Sequence, residues 1–234
     1  MTLLTGYRGF IGSKLFLALF NSGENPIGLD VRDGYNLLTC DLPPGVDTIY
    51  HLAAQSSVES SWHDPLHDLD NIRMTARLVH AYPEAKIIYA NSCASIGKAS
   101  PYGFSKAASG EYLRLFHDNF VSLIFPNIFG PGSRSVVDIF KGKDEVVVYG
   151  DGNQTRDYVH VDDIVEGLIK AKDWPVGEYS MGSGKSLSVL DLADEKFVDF
   201  QPERQEAREV IVPNTTPPGE WTPKIDVLDY LHGD

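Results

Sequence analysis

Cysteine, long apolar runs and clustered basic charge are what this sequence has least of. Only Cys40 and Cys93 stand among its 234 residues, far apart, which excludes a disulfide framework and a CxxC metal pattern and fits thiols kept reduced in a cytoplasm. No apolar stretch approaches the roughly 18 residues of a membrane-crossing helix. The opening Met1-Thr2-Leu3-Leu4-Thr5-Gly6 shows neither a basic leader nor a cleavage site, so no targeting segment, no membrane partner and a cytoplasmic location are expected. Lysine and arginine number 20 against 33 aspartates and glutamates, a net charge of −13. No basic run offsets it, and nucleic acid is not an expected partner. Hydrophobic residues at 42% and charged ones at 23% exclude a disordered chain and leave enough apolar material for a real core.

What is present is alternation. Short apolar runs at Thr2 to Thr5, Pro26 to Asp30, Thr48 to Leu52, Lys86 to Ala90 and Val121 to Phe125 alternate with helix-like stretches at Ile11 to Asn21, Pro65 to Tyr82 and Pro101 to Asn119. That order predicts an α/β fold, a doubly wound parallel sheet covered by helices on both faces. Asp64-Pro65 reads as a helix start, with Asp as N-cap and Pro where its missing N–H costs nothing. Val31 to Val46 is too thin for the helical crossover usual between parallel strands, so a helix is expected to be missing there. Beyond Phe125 come Gly/Pro-rich loops, a strand at Val146 to Tyr149 and a helix from Val161 to Lys172. The expected division is residues 1–128 with 157–175 as the domain of the parallel sheet, and 129–156 with 176–234 as a small interleaved lobe.

Gly6-Tyr7-Arg8-Gly9-Phe10-Ile11-Gly12 follows the first strand and opens a helix. There a glycine turn lets backbone N–H groups approach a pyrophosphate at the positive helix end. Asp30 closes the second strand, where a carboxylate accepts from the adenosine ribose hydroxyls and repels a 2′-phosphate, which favours NAD. Arg8 pulls the other way, because a guanidinium in this loop can pair with the 2′-phosphate of NADP. Asp41 is placed either to accept from the adenine amino group or as an ordinary surface aspartate.

Tyr102 and Lys106 stand at i and i+4, one helical turn apart on one face. A cation so placed favours the phenolate and is expected to bring the phenol within reach of base catalysis near neutral pH. Ser92 lies at the end of an apolar strand, and strands of this architecture present ligand-binding groups at their C-terminal ends.

Taken in order, the glycine run Gly6 to Gly12, Asp30, His51-Leu52-Ala53-Ala54, Asn91-Ser92, Tyr102 with Lys106, Asn127-Ile128-Phe129-Gly130-Pro131, Gly150-Asp151-Gly152, Arg156-Asp157-Tyr158-Val159-His160-Val161-Asp162-Asp163 and Trp221-Thr222-Pro223-Lys224-Ile225 resemble the extended short-chain dehydrogenase/reductases. Within that group they most resemble the NAD-dependent nucleotide-sugar epimerase/dehydratases of UDP-glucose 4-epimerase type. The resemblance implies a Rossmann fold and NAD held by Gly6, Arg8, Gly9, Phe10, Ile11, Gly12, Asp30, Asp41, Leu42, Leu52, Ala53, Ala54, Asn71, Tyr102 and Lys106. It implies a Tyr102 base, Lys106 tuning it and holding the nicotinamide ribose, and Ser92 on the reacting sugar oxygen. Ser57, Asn127 and Arg156 would meet a nucleotide-diphosphate sugar. Arg156 has an alternative as an ion-pair partner of Asp157 or Asp162, and Asn127 as a turn cap.

Related 4,6-dehydratases carry an Asp-Glu pair after the Ser/Thr position, and UDP-glucuronate decarboxylases carry a Glu there. This chain has Cys93 and Ala94, so the resemblance implies epimerisation at C4 through a transient 4-keto sugar. The alternatives are an NADP-dependent 4-keto reductase, a decarboxylase-like enzyme and a non-catalytic dinucleotide-binding protein. The segment from Cys93 to Pro101 is shorter than its counterparts, which implies a more open sugar pocket. The family's usual pairing implies a homodimer through helices 65–82 and 101–119. Gly182 to Ser186 lacks the first glycine of a phosphate loop, His63 and His67 have no third metal ligand of matching spacing, and there is no GxSxG nucleophile elbow.

Overall fold

The computed structural model describes residues 1–194, 196–203, 215–219 and 221–233. Its centre is a sheet of six parallel strands in the order β2-β1-β3-β4-β5-β9: β1 (Thr2–Thr5), β2 (Ile27–Leu29), β3 (Thr48–His51), β4 (Lys86–Ser92), β5 (Phe120–Phe125) and β9 (Gly177–Ser180). Consecutive strand residues are buried on opposite faces, so these strands read as unbroken apolar runs. Leu4, Tyr50, Ile88 and Leu123 face one layer, which contains α1 (Phe10–Asn21) and α7 (Val161–Ala171). Leu3, Ile49, Ile87 and Tyr89 face the other, with α3 (Pro65–Ala81) and α5 (Pro101–Phe116). The strand order reverses between β1 and β3, and Thr5 lies in register with His51 at their C-terminal ends. A crevice at such a switch point is where this architecture takes its ligands.

The segment between β2 and β3 contains only a single 3₁₀ turn, Val31–Asp33. Its carbonyls are satisfied instead by side chains of the layer beneath: Arg77 donates to the carbonyls of Leu37 and Cys40, and Tyr82 to that of Pro43 at 2.8 Å. Asp64 stands at the N-cap position of α3, yet its side chain makes no capping bond; Pro65 in the first turn already removes one of the donors a cap would serve. Two short helices, α2 (Val58–His63) and α4 (Ala94–Gly97), occupy stretches the sequence pattern left unassigned.

The rest of the chain builds β6 (Asn127–Phe129), α6 (Val136–Phe140), β7 (Glu145–Tyr149), β8 (Thr155–His160), β10 (Ser186–Ser188), α8 (Val189–Ala193), β11 (Phe197–Gln201) and α9 (Val227–His232). A second core of Phe129, Phe140, Val146, Val148, Tyr158 and Leu192 holds it together. Gly177–Ser180, expected with the lobe, pairs with β5 from Val121 to Ile124 and completes the large sheet, because an unpaired β5 edge would leave its backbone groups unsatisfied. Among the described residues no helix is long and apolar enough to cross a membrane.

Candidate active site

The glycine loop is shaped by contacts that leave no room for side chains. Gly6 has φ of +73°, and a Cβ there would stand 2.7 Å from the Ala53 backbone nitrogen; one on Gly12 would stand 2.2 Å from the Gly6 carbonyl oxygen. The turn therefore packs backbone on backbone and leads into α1, with Gly9 at the N-cap and Phe10 and Ile11 in the first turn. Among the described residues no side chain caps this helix, so its first N–H groups are available for an anion. Leu52, Ala53 and Ala54 continue from β3 opposite the loop, and the Thr5 hydroxyl accepts from the Ala53 N–H at 3.3 Å.

Asp30 is buried, and its two oxygens accept from the backbone N–H groups of Arg8 at 3.0 Å and Arg32 at 2.9 Å. The Arg8 guanidinium turns outward to Asp33, whose other oxygen accepts from the Tyr7 hydroxyl. Asp41 is exposed on the β2–β3 segment, and Leu42, half-buried, packs against the core.

Ser92 ends β4, and its hydroxyl accepts from the Ala94 N–H at 3.2 Å. Tyr102 sits in the first turn of α5, which starts at Ser100-Pro101 with the Ser100 hydroxyl accepting from the Gly103 N–H at 3.0 Å. Burial raises the Tyr102 phenol to about 12, against the opposing pull of the nearby Ser92 hydroxyl. Lys106, one turn on, is buried; its Nζ donates to the Ala90 carbonyl at 2.7 Å and lies 4.8 Å from the centre of the Tyr89 ring. Burial pushes its ammonium down to about 7. The spacing alone predicts that the ammonium acidifies the phenol; in the structure desolvation is the larger influence on both groups and moves them toward their neutral forms.

Spacing also gives no hint of the polar chain behind these residues. Asn71 on α3 clasps the Gln55 backbone through its Oδ1 (2.9 Å) and Nδ2 (3.1 Å), and Nδ2 donates to the Ser105 hydroxyl at 3.0 Å. Ser105 in turn donates to the Tyr102 carbonyl at 2.8 Å. Upstream, His51 bridges the hydroxyls of Thr5 and Thr75 at 2.9 and 3.1 Å, and burial pushes its imidazole down to about 3. A continuous line of side chains thus joins β1 to the first turn of α5. The signal was the density of Thr, His, Asn and Ser at buried positions of otherwise apolar elements, which demand partners. Asp68, buried on α3 one turn before Asn71, has no hydrogen-bond partner at either oxygen among the described residues, and burial raises its carboxyl.

In the smaller sheet, Asn127 opens β6 half-buried and Arg156 is buried in β8, its Nη1 donating to the Thr155 carbonyl at 2.8 Å. Arg156 lies near enough to lower the thiol of Cys93, a buried group that desolvation otherwise pushes up. Asp157 accepts from the Ser183 and Gly184 N–H groups at 3.0 and 2.9 Å, so Gly182 to Ser186 is a turn folded on a carboxylate. Asp162 is exposed and pairs with Lys14 at 3.6 Å. Ser57 is the N-cap of α2, its hydroxyl accepting from the Ser60 N–H at 3.0 Å. A separate cavity of about 370 Å³ lies between α5 and β9, lined by Gly110, His117 and Glu178 among others, and shares no residue with this site.

Comparison with known proteins agrees with this geometry. The sequence profile of the NAD dependent epimerase/dehydratase family matches residues 2–182. A UDP-glucose 4-epimerase of Mycolicibacterium smegmatis is 31% identical, over 82% of this chain and 80% of its own. The structure of a UDP-glucose 4-epimerase with UDP-glucose from Thermotoga maritima superimposes with a TM-score of 0.83 at 25% identity, covering 98% of this chain and 96% of that one. A NAD-dependent NDP-hexosamine 5,6-dehydratase of tunicamycin biosynthesis superimposes at 0.75 with 27% identity, covering 89% and 87%. On a match that spans both the glycine loop and the Ser92, Tyr102 and Lys106 set, the chain belongs to the NAD-dependent epimerase/dehydratase family.

Proposed function

We propose that the protein is an NAD-dependent epimerase acting at C4 of a nucleotide-diphosphate sugar of the UDP-glucose/UDP-galactose type. The observation that carries this reading is Ser92 at the end of β4, its hydroxyl close enough to Tyr102 to draw the phenol's pKa down, with Lys106 one turn behind, next to Cys93 and Ala94 instead of an acid or base. With no group there to serve C5 or C6, proton removal from a C4 hydroxyl and its return are the chemistry these residues support.

The loop suits a dinucleotide: the space at Gly6 and Gly12 is too tight for any Cβ, and the first N–H groups of α1 have no side-chain cap. Gly6, Gly9, Phe10, Ile11 and Gly12 would hold the pyrophosphate, Asp30 the adenosine ribose, and Leu52, Ala53 and Ala54 the opposite wall. When bound, NAD supplies the hydride acceptor. Tyr102 Oη takes the sugar hydroxyl proton, with Ser92 Oγ aligning that oxygen. The phenolate so required is favoured by the nearby Ser92 hydroxyl, by the positive end of α5 and by Lys106 whenever its Nζ carries a proton. Asn71, through Ser105, fixes the backbone that holds the phenol. Arg156, Asn127 and Ser57 are assigned to the nucleotide sugar, and Asp41, Leu42 and Asn71 to the dinucleotide side, on the family pattern.

Incubating the protein with UDP-glucose or UDP-galactose and separating the nucleotide sugars by chromatography tests the assignment. Interconversion of the two supports it; a dehydrated sugar product would replace it with the chemistry of the dehydratase relative. We also propose a homodimer through α3 and α5, which expose Leu66, Leu69, Phe104, Leu115 and Phe116, a dinucleotide-binding domain and a substrate lobe divided as the sequence suggests except at β9, and a cytoplasmic location. Light scattering that finds only monomer would contradict the dimer.

A further inference from the structure

Ser92 is the last residue of β4, in register with Phe125 of β5, whose carbonyl accepts from the Cys93 N–H at 2.9 Å, but the Ser92 N–H itself finds no strand partner among the described residues. Strand β3 ends its pairing at His51, opposite Tyr89, so the end of β4 continues past it with β5 alone as partner. The Ser92 N–H finds its acceptor in the side chain of the preceding residue, Asn91 Oδ1, at 2.9 Å. That amide is itself held from the far side. Asn91 Nδ2 donates to Glu178 Oε2 at 3.2 Å and to the Ser122 hydroxyl at 3.3 Å, and Ser122 donates to the same Glu178 oxygen at 3.0 Å. Ser122 and Glu178 are direct register partners on β5 and β9. Asn91 is buried, and an amide whose oxygen accepts while its nitrogen donates to two partners is held in one orientation. From Asn91 the order therefore runs β9 carboxylate, amide, Ser92 backbone.

We propose that Glu178 is a positioning residue for Ser92, acting through Asn91. The proposal rests on the reading of Ser92 as the hydroxyl that aligns the sugar oxygen. Glu178 touches neither Ser92 nor any assigned substrate or dinucleotide residue; it fixes the direction of the Asn91 amide, which fixes the Ser92 backbone from which the hydroxyl reaches Tyr102. Loss of the carboxylate leaves Asn91 Nδ2 with the Ser122 hydroxyl alone and so loosens the amide whose oxygen accepts from the Ser92 N–H.

The full-length protein tests this with four variants: Glu178→Ala, Glu178→Gln, Asn91→Asp and the double Asn91→Asp/Glu178→Gln. Asn91→Asp places two carboxylates against each other and turns the side chain away. The double variant restores one donor facing one acceptor. Glu178→Ala and Asn91→Asp are expected to lower kcat on the nucleotide sugar about tenfold with KM shifted less than about twofold, since misplacing a catalytic group is felt mainly in the chemical step. Glu178→Gln, whose amide oxygen still accepts, and the double variant are expected to stay within about threefold of the parent. Amide hydrogen exchange at Ser92, measured without substrate, is expected to quicken in the first two variants and to recover in the double. Unchanged kcat together with unchanged exchange in Glu178→Ala would overturn the proposal, as would a double variant no better than Asn91→Asp. Should Glu178→Ala fail to fold, the Asn91→Asp pair decides alone. If the parent protein turns over no UDP-sugar, the functional reading fails on that result, and the Ser92 exchange rates still decide this one.

Discussion

The two halves of the candidate site are built on different physics. The glycine loop is defined by shape: Gly6 and Gly12 stand so close to backbone atoms that a single methyl collides. The Ser92, Tyr102 and Lys106 side is defined by dielectric: the same helical spacing that suggests an acidified phenol instead yields a phenol raised to about 12 and an ammonium lowered to about 7, because both are buried. Shape of the first kind is independent of pH and salt. Reactivity of the second kind depends on what charge enters the site, so the chain alone sets the pair to rest in neutral forms and leaves it poised to change.

The sharpest way to break this contrast is at the phenol. Tyr102→Phe keeps the ring and removes the proton acceptor, and turnover is expected to fall about 10³-fold, the ordinary worth of a positioned acid–base group. Dinucleotide binding, measured by fluorescence titration, is expected to change less than about threefold, because the loop that carries it is untouched. At the other end the effects reverse. Gly12→Ala drives a Cβ to 2.2 Å from the Gly6 carbonyl oxygen, an atom of the backbone that cannot give way. A stability loss of about 2–3 kcal/mol in urea unfolding is expected, with NAD binding weakened about 100-fold. Gly9→Ala, whose Cβ would stand 3.2 Å from the same oxygen, is expected to cost about 1 kcal/mol or less. Equal effects at Gly9 and Gly12 would show that the loop is not held by close backbone approach.

This contrast also explains what could be read from the sequence. The parallel sheet, the glycine turn, Asp30 at the end of β2 and the missing helix before β3 follow from local patterns of apolar runs, glycines and segment length. So does the placement of Ser92, Tyr102 and Lys106 on β4 and α5. The sign of the pKa shifts does not, because burial comes from residues distant in the chain, such as Tyr89 beneath Lys106. Nor does the chain from Thr5 through His51, Thr75, Asn71 and Ser105, whose members lie on four separate elements and have no common spacing. Arg8 points to NADP in the sequence; in three dimensions its charge is met by Asp33, a residue whose role depends on the turn that follows β2. Gly177–Ser180 is too short and too mixed in polarity to declare which sheet it joins.

The dielectric half of the comparison can be sharpened by titration. Lys106 keeps its proton in the unfolded chain to near its ordinary value of 10.5 and sheds it in the folded protein around 7. Between those values the unfolded state binds more protons, so stability is expected to rise as pH climbs from about 7 and to be lost as pH falls back through 7. Tyr102 and Cys93, both raised, act in the opposite sense only near and above their ordinary values, which leaves a clear window from about 7.5 to 8.5. Urea unfolding there is expected to show a slope of roughly 1 kcal/mol per pH unit or less, abolished in Lys106→Met. A parent protein whose stability is flat across that window would mean that the ammonium is not desolvated.

The smallest effect expected lies where the two halves overlap in kind, a charge placed on the loop. Arg8 and Asp33 form an exposed ion pair, and such pairs are worth about 0–1 kcal/mol. Asp33→Asn releases the guanidinium without disturbing the glycines, and leaves Asp30, the residue proposed for the adenosine ribose, in place. NADP affinity is therefore expected to rise about fivefold through the freed Arg8 and a smaller negative field, while NAD affinity changes less than about twofold. Calorimetric titration with both dinucleotides reads the ratio, and the gain should shrink in high salt, since an exposed charge is screened. A gain that persists in high salt, or an equal gain for NAD, would mean that the substitution had reshaped the loop, placing cofactor preference with shape and not with charge.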